Sequence, residues 1–107
     1  KSIGDVEASA IISRDGLLIA ADISKDVNAE AFAAMTATML GAAETATSEL
    51  GRGVPERVIV EGKNVKIIAC GAGSKALLVL MTAPDANLGL ILYKMSQVSE
   101  KIKELLK

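Results

Sequence analysis

A chain of 107 residues with 12 Lys and Arg against 13 Asp and Glu, net charge −1, fits a single domain. At this size a domain buries roughly 65% of the surface its unfolded chain exposes and needs no metal or disulfide staple. With no basic excess, one Phe, one Tyr and no Trp, the composition excludes a general nucleic-acid or anionic-membrane binder: it offers neither a positive field nor a platform for stacked bases.

In chain order, Ala8 to Arg14 reads as a strand. Asp15-Gly16 follows as a two-residue hairpin signal, because glycine accepts positive φ, and Leu17 to Ala21 is the return strand. Residues 22 to 28 are polar and turn-like, with Asp26 or Asn28 able to cap a helix. That helix runs from Asn28 to Leu50, with Phe32, Met35, Met39, Ala43, Ala46 and Leu50 as its apolar stripe, and Gly51 and Gly53 end it.

The opposite face of this helix is the informative one. It holds Ala34, Ala37, Thr38, Gly41, Thr45 and Ser48, and the helix has no basic residue. A solvated helix face normally carries Lys, Glu and Arg, whereas small uncharged residues let a second helix come near. An alanine-rich surface helix selected for propensity is the competing explanation.

Val58 to Glu61 reads as the third strand, with Pro55 just ahead of it, a placement suited to a strand start or a sheet edge. A turn at Glu61 to Asn64 leads into a fourth strand, Val65 to Cys70. Gly71-Ala72-Gly73-Ser74 turns the chain again, into a fifth strand from Ala76 to Thr82. That strand is apolar on both faces, so both sides of the sheet require cover. Asp85 or Asn87 caps a last helix whose stripe is Leu88, Ile91, Met95, Val98, Ile102 and Leu105 and whose outer face is charged. The order is strand, strand, helix, three strands, helix, and the short loops make the sheet largely antiparallel.

Catalytic chemistry is thin. The chain has no His, which removes the usual general base and the commonest metal ligand. One cysteine cannot form an internal disulfide and suits a reducing compartment, so a cytoplasmic location is expected. Cys70, in an apolar strand, reads as a small core residue. Gly71-Ala72-Gly73 joins two strands rather than a strand and a helix, so a hairpin turn outweighs a dinucleotide loop. No catalytic residue, metal site or cofactor is expected. No apolar run reaches ~18 residues, so no membrane span is expected, and no signal peptide is evident.

These residues resemble the Roadblock family, the class that includes the dynein light chains of that name. Ile11 to Ala20 is similar to the family's opening hairpin, and Phe32 to Met35 through Leu40 to Ala43 to its central helix. Arg57 to Gly62 is similar to the following strand, and Asp85 to Leu90 to the start of the final helix. Many members carry a helix before the first hairpin; here only Lys1 to Glu7 precede it, so that helix is expected to be short or trimmed.

The resemblance implies an α+β sandwich of profilin-like architecture. A five-stranded antiparallel sheet would carry the long central helix on one face and the C-terminal helix on the other. It implies a homodimer or heterodimer in which central helices pack together and third strands join edge to edge. The expected interface is Ala34, Ala37, Thr38, Gly41, Thr45 and Ser48 with Arg57, Val58, Ile59 and Val60. It further implies work with small Ras-like GTPases as regulator or scaffold, or service as an adaptor subunit of a motor. Arg52 and Arg57 could reach a nucleotide on such a GTPase, though a solvated pair after a helix is the simpler account. Three function classes therefore stand: a dimeric GTPase-binding module, a structural adaptor in a larger complex without GTPase contact, and a small enzyme or ligand-binding domain.

Overall fold

A computed structural model of the chain describes residues 6–106. The expectation of a leading helix falls partly on residues 1–5, outside the described residues; Val6 and Glu7 already belong to the first strand. The elements are β1 (Val6–Ser13), β2 (Leu18–Asp22), α1 (Ala29–Glu49), β3 (Arg57–Glu61), β4 (Lys66–Ala72), β5 (Ala76–Thr82) and α2 (Leu88–Leu105). The strands form one sheet in the order β2-β1-β5-β4-β3, every neighbouring pair antiparallel. The α+β architecture inferred from sequence is the one observed.

The apolar alternation of the central strands explains the two helical layers. On β5, Leu78 and Leu80 point to a cluster with Ile68, Ile91, Met95 and Ile102, which is the α2 side. Leu77 and Val79 point the other way, to a cluster with Ala10, Ile12, Ala33 and Leu40, which is the α1 side. A strand apolar on both faces is thus covered on both faces.

Both helices start on asparagine caps. Asn28 Oδ1 accepts from the Ala31 N–H at 3.1 Å, and Asn87 Oδ1 accepts from the Leu90 N–H at 3.1 Å. These choices settle the two open capping alternatives, and each satisfies a backbone donor that the first turn leaves unpaired. At the end of α1, the Gly51 N–H donates to the Ser48 carbonyl (2.9 Å) and the Arg52 N–H to the Thr47 carbonyl (3.0 Å), a paired closure that occupies two orphan carbonyls.

Three local expectations are corrected. The first turn holds three residues, Arg14, Asp15 and Gly16: the Ser13 N–H donates to the Leu17 carbonyl at 2.8 Å, and Gly16 sits at φ 88°. A glycine at the last position of a three-residue loop is the arrangement that matches the strand twist. Second, β4 continues through Gly71 and Ala72, so the β4–β5 turn is Gly73 to Lys75. Gly71 serves close approach rather than turning. A Cβ there would lie 2.8 Å from the Arg14 guanidinium, which passes over it to reach Glu44 Oε2 (2.9 Å) and the Gly73 carbonyl (2.9 Å). Arg14 so ties the first hairpin to α1 and to the β4–β5 turn.

The third correction concerns helix faces. Residues of α1 packed on the sheet are Ala33, Thr36 and Leu40, with Phe32, Ala37 and Met39 partly buried beside them. Met35 and Leu50, assigned above to the apolar stripe, are 63% and 73% exposed. In a helix rich in alanine on every side, the periodicity of larger residues is a weak guide. What decides the face is which small residue allows contact, and Ala33 is fully buried. On α2, Ile91, Met95 and Ile102 are buried as expected, but Leu105 is 83% exposed, and Leu92 and Leu106 pack in its place.

Candidate protein-interaction surface

The outer face of α1 is built from the residues that packing on the sheet leaves over. Ala34, Thr38, Gly41, Thr45 and Ser48 are all exposed, together with Met35 and Ala46. Glu30 lies in the first turn, where the helix dipole favours an acid, and no basic residue lies in the last turn. Thr38 Oγ1 donates to the Ala34 carbonyl at 3.0 Å. The hydroxyl is therefore satisfied within the helix, and the methyl remains to face outward. At Thr38 the helix surface thus presents a methyl group and demands no partner for the hydroxyl.

Ala37 is the exception among the helix residues assigned to this face. It is half-buried and packs against the α1-side core. It also meets the first hairpin: a Cβ placed on Gly16 would be 3.3 Å from Ala34 Cα and 3.6 Å from Ala37 Cβ. The hairpin tip closes over that point because Gly16 has no side chain, leaving Leu17 68% exposed. Further apolar exposure follows α1 at Leu50 and Val54 and continues to Val60 on β3. These exposed apolar residues flank the helix face, and the sequence stripe had assigned Met35 and Leu50 to the core.

β3 is an edge strand, last in the sheet order. Arg57 and Val60 are exposed, while Val58 packs toward the α1 side and Ile59 toward the α2 side. α1 lies across the sheet, in contact with β1 and β2 as well as with β3 and β4. Of the ten residues expected at an interface, Val58 and Ile59 are half in the core and Ala37 is inward of the helix face; the other seven are exposed.

Elsewhere the chemistry is sparse. No group of three or more Cys, Asp or Glu among the described residues is placed to hold a metal, and no described helix is long and apolar enough to cross a membrane. A groove of about 360 Å3 lies beside α2 over β1 and β2, lined by Val6, Ile11, Leu78, Leu80, Met95 and Val98, with Ser9 and Asp22 its polar lining. It exists because α2 lies mainly over β4 and β5. A second cleft holds Arg57, Ser96, Ser99 and Glu100 near Cys70. Arg57 Nη2 lies 3.3 Å from Glu56 Oε1.

Cys70 is 8% exposed. Burial pushes its thiol above the ordinary range, against the opposing pull of the Arg57 guanidinium and a hydrogen bond with Ser99. The thiolate is the reactive form, so a buried thiol of raised pKa is inert. Alkylation of Cys70 in the folded protein at neutral pH is expected to run about a hundredfold slower than in urea. Mass spectrometry of iodoacetamide-quenched samples reads this; equal rates would contradict the burial.

The Roadblock/LC7 domain model matches residues 1–82, which span the opening hairpin, the central helix and the sheet. The chain belongs to the Roadblock/LC7 domain family. Three uncharacterized proteins of Methanocaldococcus jannaschii are 38%, 37% and 38% identical to this Roadblock/LC7 chain over 98 residues. The matches cover 92% of this chain and 85%, 85% and 82% of theirs. Among solved structures, a Roadblock/LC7 domain from Streptomyces avermitilis superposes with a TM-score of 0.90 at 20% identity, covering 98% of this chain and 88% of that one. Myxococcus xanthus MglB superposes at 0.88 with 18% identity, covering 94% and 83%. At such identities the structural likeness is one of fold. It places this Roadblock/LC7 chain's sheet and both helices in the same arrangement as those domains.

Proposed function

We propose that this Roadblock/LC7 chain is a single-domain, non-catalytic, homodimeric interaction module that regulates or scaffolds a small Ras-like GTPase in the cytoplasm. One observation carries the dimer: an exposed, uncharged, small-residue face on α1, made of Ala34, Thr38, Gly41, Thr45 and Ser48, flanked by exposed Met35 and Leu50. Helix propensity alone would account for the alanines but not for a water-facing helix that lacks every basic residue and exposes Met35 and Leu50. A partner helix would cover them, and Ala and Gly would permit the close approach.

Family membership supports the GTPase half. A non-catalytic role is consistent with a chain that has no His and whose one thiol is buried. The apolar groove beside α2 offers shape but only Ser9 and Asp22 as polar lining, short of the convergent polar set that a specific small-molecule site uses.

The purified protein is expected to be a dimer by light scattering at tens of micromolar and to capture a Ras-like GTPase in one nucleotide state in preference to the other. A dimer that recovers a stable assembly with no GTPase in either state would establish the adaptor reading instead.

A further inference from the structure

The C-terminal half of α1 carries much of the exposed face, yet little holds it to the sheet. Every α1 residue in the core clusters, or packed against them, lies from Phe32 to Leu40. From Gly41 to Glu49 none joins them, although Gly41, Thr45 and Ser48 of the exposed face lie there. Among the described residues, one side-chain hydrogen bond links this stretch to another element: Glu44 Oε2 accepts from Arg14 Nη1 at 2.9 Å. We infer that Arg14, Glu44 and Gly71 form a latch that fixes where this half of α1 lies, which makes Arg14 a positioning residue for the interaction face. The consequence at the interface rests on the dimer reading above; the latch itself does not.

The chemistry of the latch fits arginine. Arg14 is anchored in the first turn, where its backbone N–H donates to the Lys75 carbonyl at 3.3 Å. Its two terminal nitrogens then serve two elements. Nη1 reaches the Glu44 carboxylate on α1 and Nη2 the Gly73 carbonyl in the β4–β5 turn, both at 2.9 Å. A planar fork holds two acceptors at once and keeps its charge, whereas a lysine is one nitrogen on a flexible stem. The carbonyl end is itself braced by the last turn of α2. A Cβ on Gly73 would lie 3.0 Å from Lys103 Cγ, so the turn rests on that side chain. The latch therefore runs from α1 past the end of the sheet to α2 and joins the two helical layers.

Gly71 is the other half of the device. It lies inside β4, opposite Leu77 of β5, where a glycine weakens the strand. It is not among the glycines of positive φ, so the backbone does not require glycine there. The space does: a Cβ at position 71 would lie 2.8 Å from Arg14 Nη2. What yields to such a methyl is the end of the long Arg14 side chain. Alanine at 71 would thus push the guanidinium off its acceptors while leaving the strand better supplied.

Wild type, Arg14→Ala, Gly71→Ala and the double variant test the latch, with circular dichroism confirming each fold. Hydrogen exchange read by mass spectrometry follows α1 in two halves, and sedimentation velocity follows self-association. Each single variant is expected to speed exchange from Ala42 to Leu50 about fivefold, with Phe32 to Leu40 unchanged, and to raise the dimer dissociation constant by a similar factor. The pair is decisive. Once Arg14 is gone, Gly71→Ala changes neither quantity further, because its methyl has nothing left to displace. Additive effects of the two changes, or exchange no faster than wild type in either, overturn the latch. Faster exchange at an unchanged dissociation constant overturns the positioning role. A monomeric wild type sinks the dimer reading instead, and exchange in that monomer still upholds or overturns the latch.

Discussion

Gly41→Glu is expected to convert the protein to a monomer without harming its fold. A Cβ at position 41 would meet no heavy atom within 4 Å beyond its own turn of helix, and the position is exposed, so the monomer has room for a side chain there. Replacing a helix-interior glycine with a good helix former also gains about 0.5–1 kcal/mol of intrinsic helix stability. In the proposed dimer the same position sits in the middle of α1 on the face turned to the partner. A carboxylate there loses water with no cation to receive it, since α1 carries no basic residue. An uncompensated charge buried in this way costs roughly 3–5 kcal/mol, and the expected weakening is therefore more than about a hundredfold in dissociation constant. Light scattering across a dilution series reads the mass, and circular dichroism reads the retained helix. A full dimer at low micromolar concentration would place the interface somewhere other than this helix face.

The contrast with Ala37 sharpens the choice of variant. Sequence reasoning gave Ala37 and Gly41 the same standing. Ala37 in fact packs on the core and against the hairpin closed by Gly16, so a large side chain there would disturb the monomer first, and dimer loss would say nothing about the interface. Position 41 separates the two effects.

Most of the architecture was legible because its signals are local. Strand periods, glycine turns and asparagine caps name their elements without reference to the rest of the chain, and the observed strand ends differ by at most two residues from the expected ones, with β5 coinciding at both ends. Helix faces were harder. In α1 the stripe through Phe32, Met35 and Met39 had real apolar periodicity, yet Met35 faces outward. Alanine surrounds the helix on all sides, so burial follows the closest approach to the sheet, which is a property of the assembled layers. In α2, where charged residues mark the outside, the stripe held for Ile91, Met95 and Ile102 and failed at Val98, which is 40% exposed, and at Leu105 in the last turn. The same composition that hides the inner face of α1 reveals its outer one: absence of charge is visible in a sequence, whereas the choice among alanines is not. The Arg14 bridge to Glu44 and Gly73 was illegible for a different reason, since its partners lie 30 and 59 residues away.

Leu40→Ala is expected to be the most destabilising single truncation in α1. The helix meets the sheet through few large side chains. Ala33 and Thr36 are buried but small, Phe32 and Met39 are partly exposed, and Leu40 is the one large residue of the helix that is nearly sealed, at 1% exposure. It packs in the cluster with Ile12, Leu77 and Val79, residues of β1 and β5 that cannot collapse into the vacated space without leaving their strand registers. Such a site sits toward the upper part of the usual range, a loss of about 3–4 kcal/mol. Out of a typical total of about 5–15 kcal/mol, that is a large share of the domain's stability. Urea titration in a Gly41→Glu background keeps protein concentration out of the comparison, because dimer formation would otherwise stabilise the folded state by mass action. The consequence reaches the interface. Leu40 adjoins Gly41 on the helix, turned from it by about 100° around the axis, so the residue that fixes α1 to the sheet also fixes the direction in which Gly41 points. With Gly41 restored, Leu40→Ala should therefore weaken self-association as well, although its side chain touches no partner. A loss under about 1 kcal/mol would mean that α1 is held chiefly by its ends, through Arg14 and the hairpin, rather than through its centre.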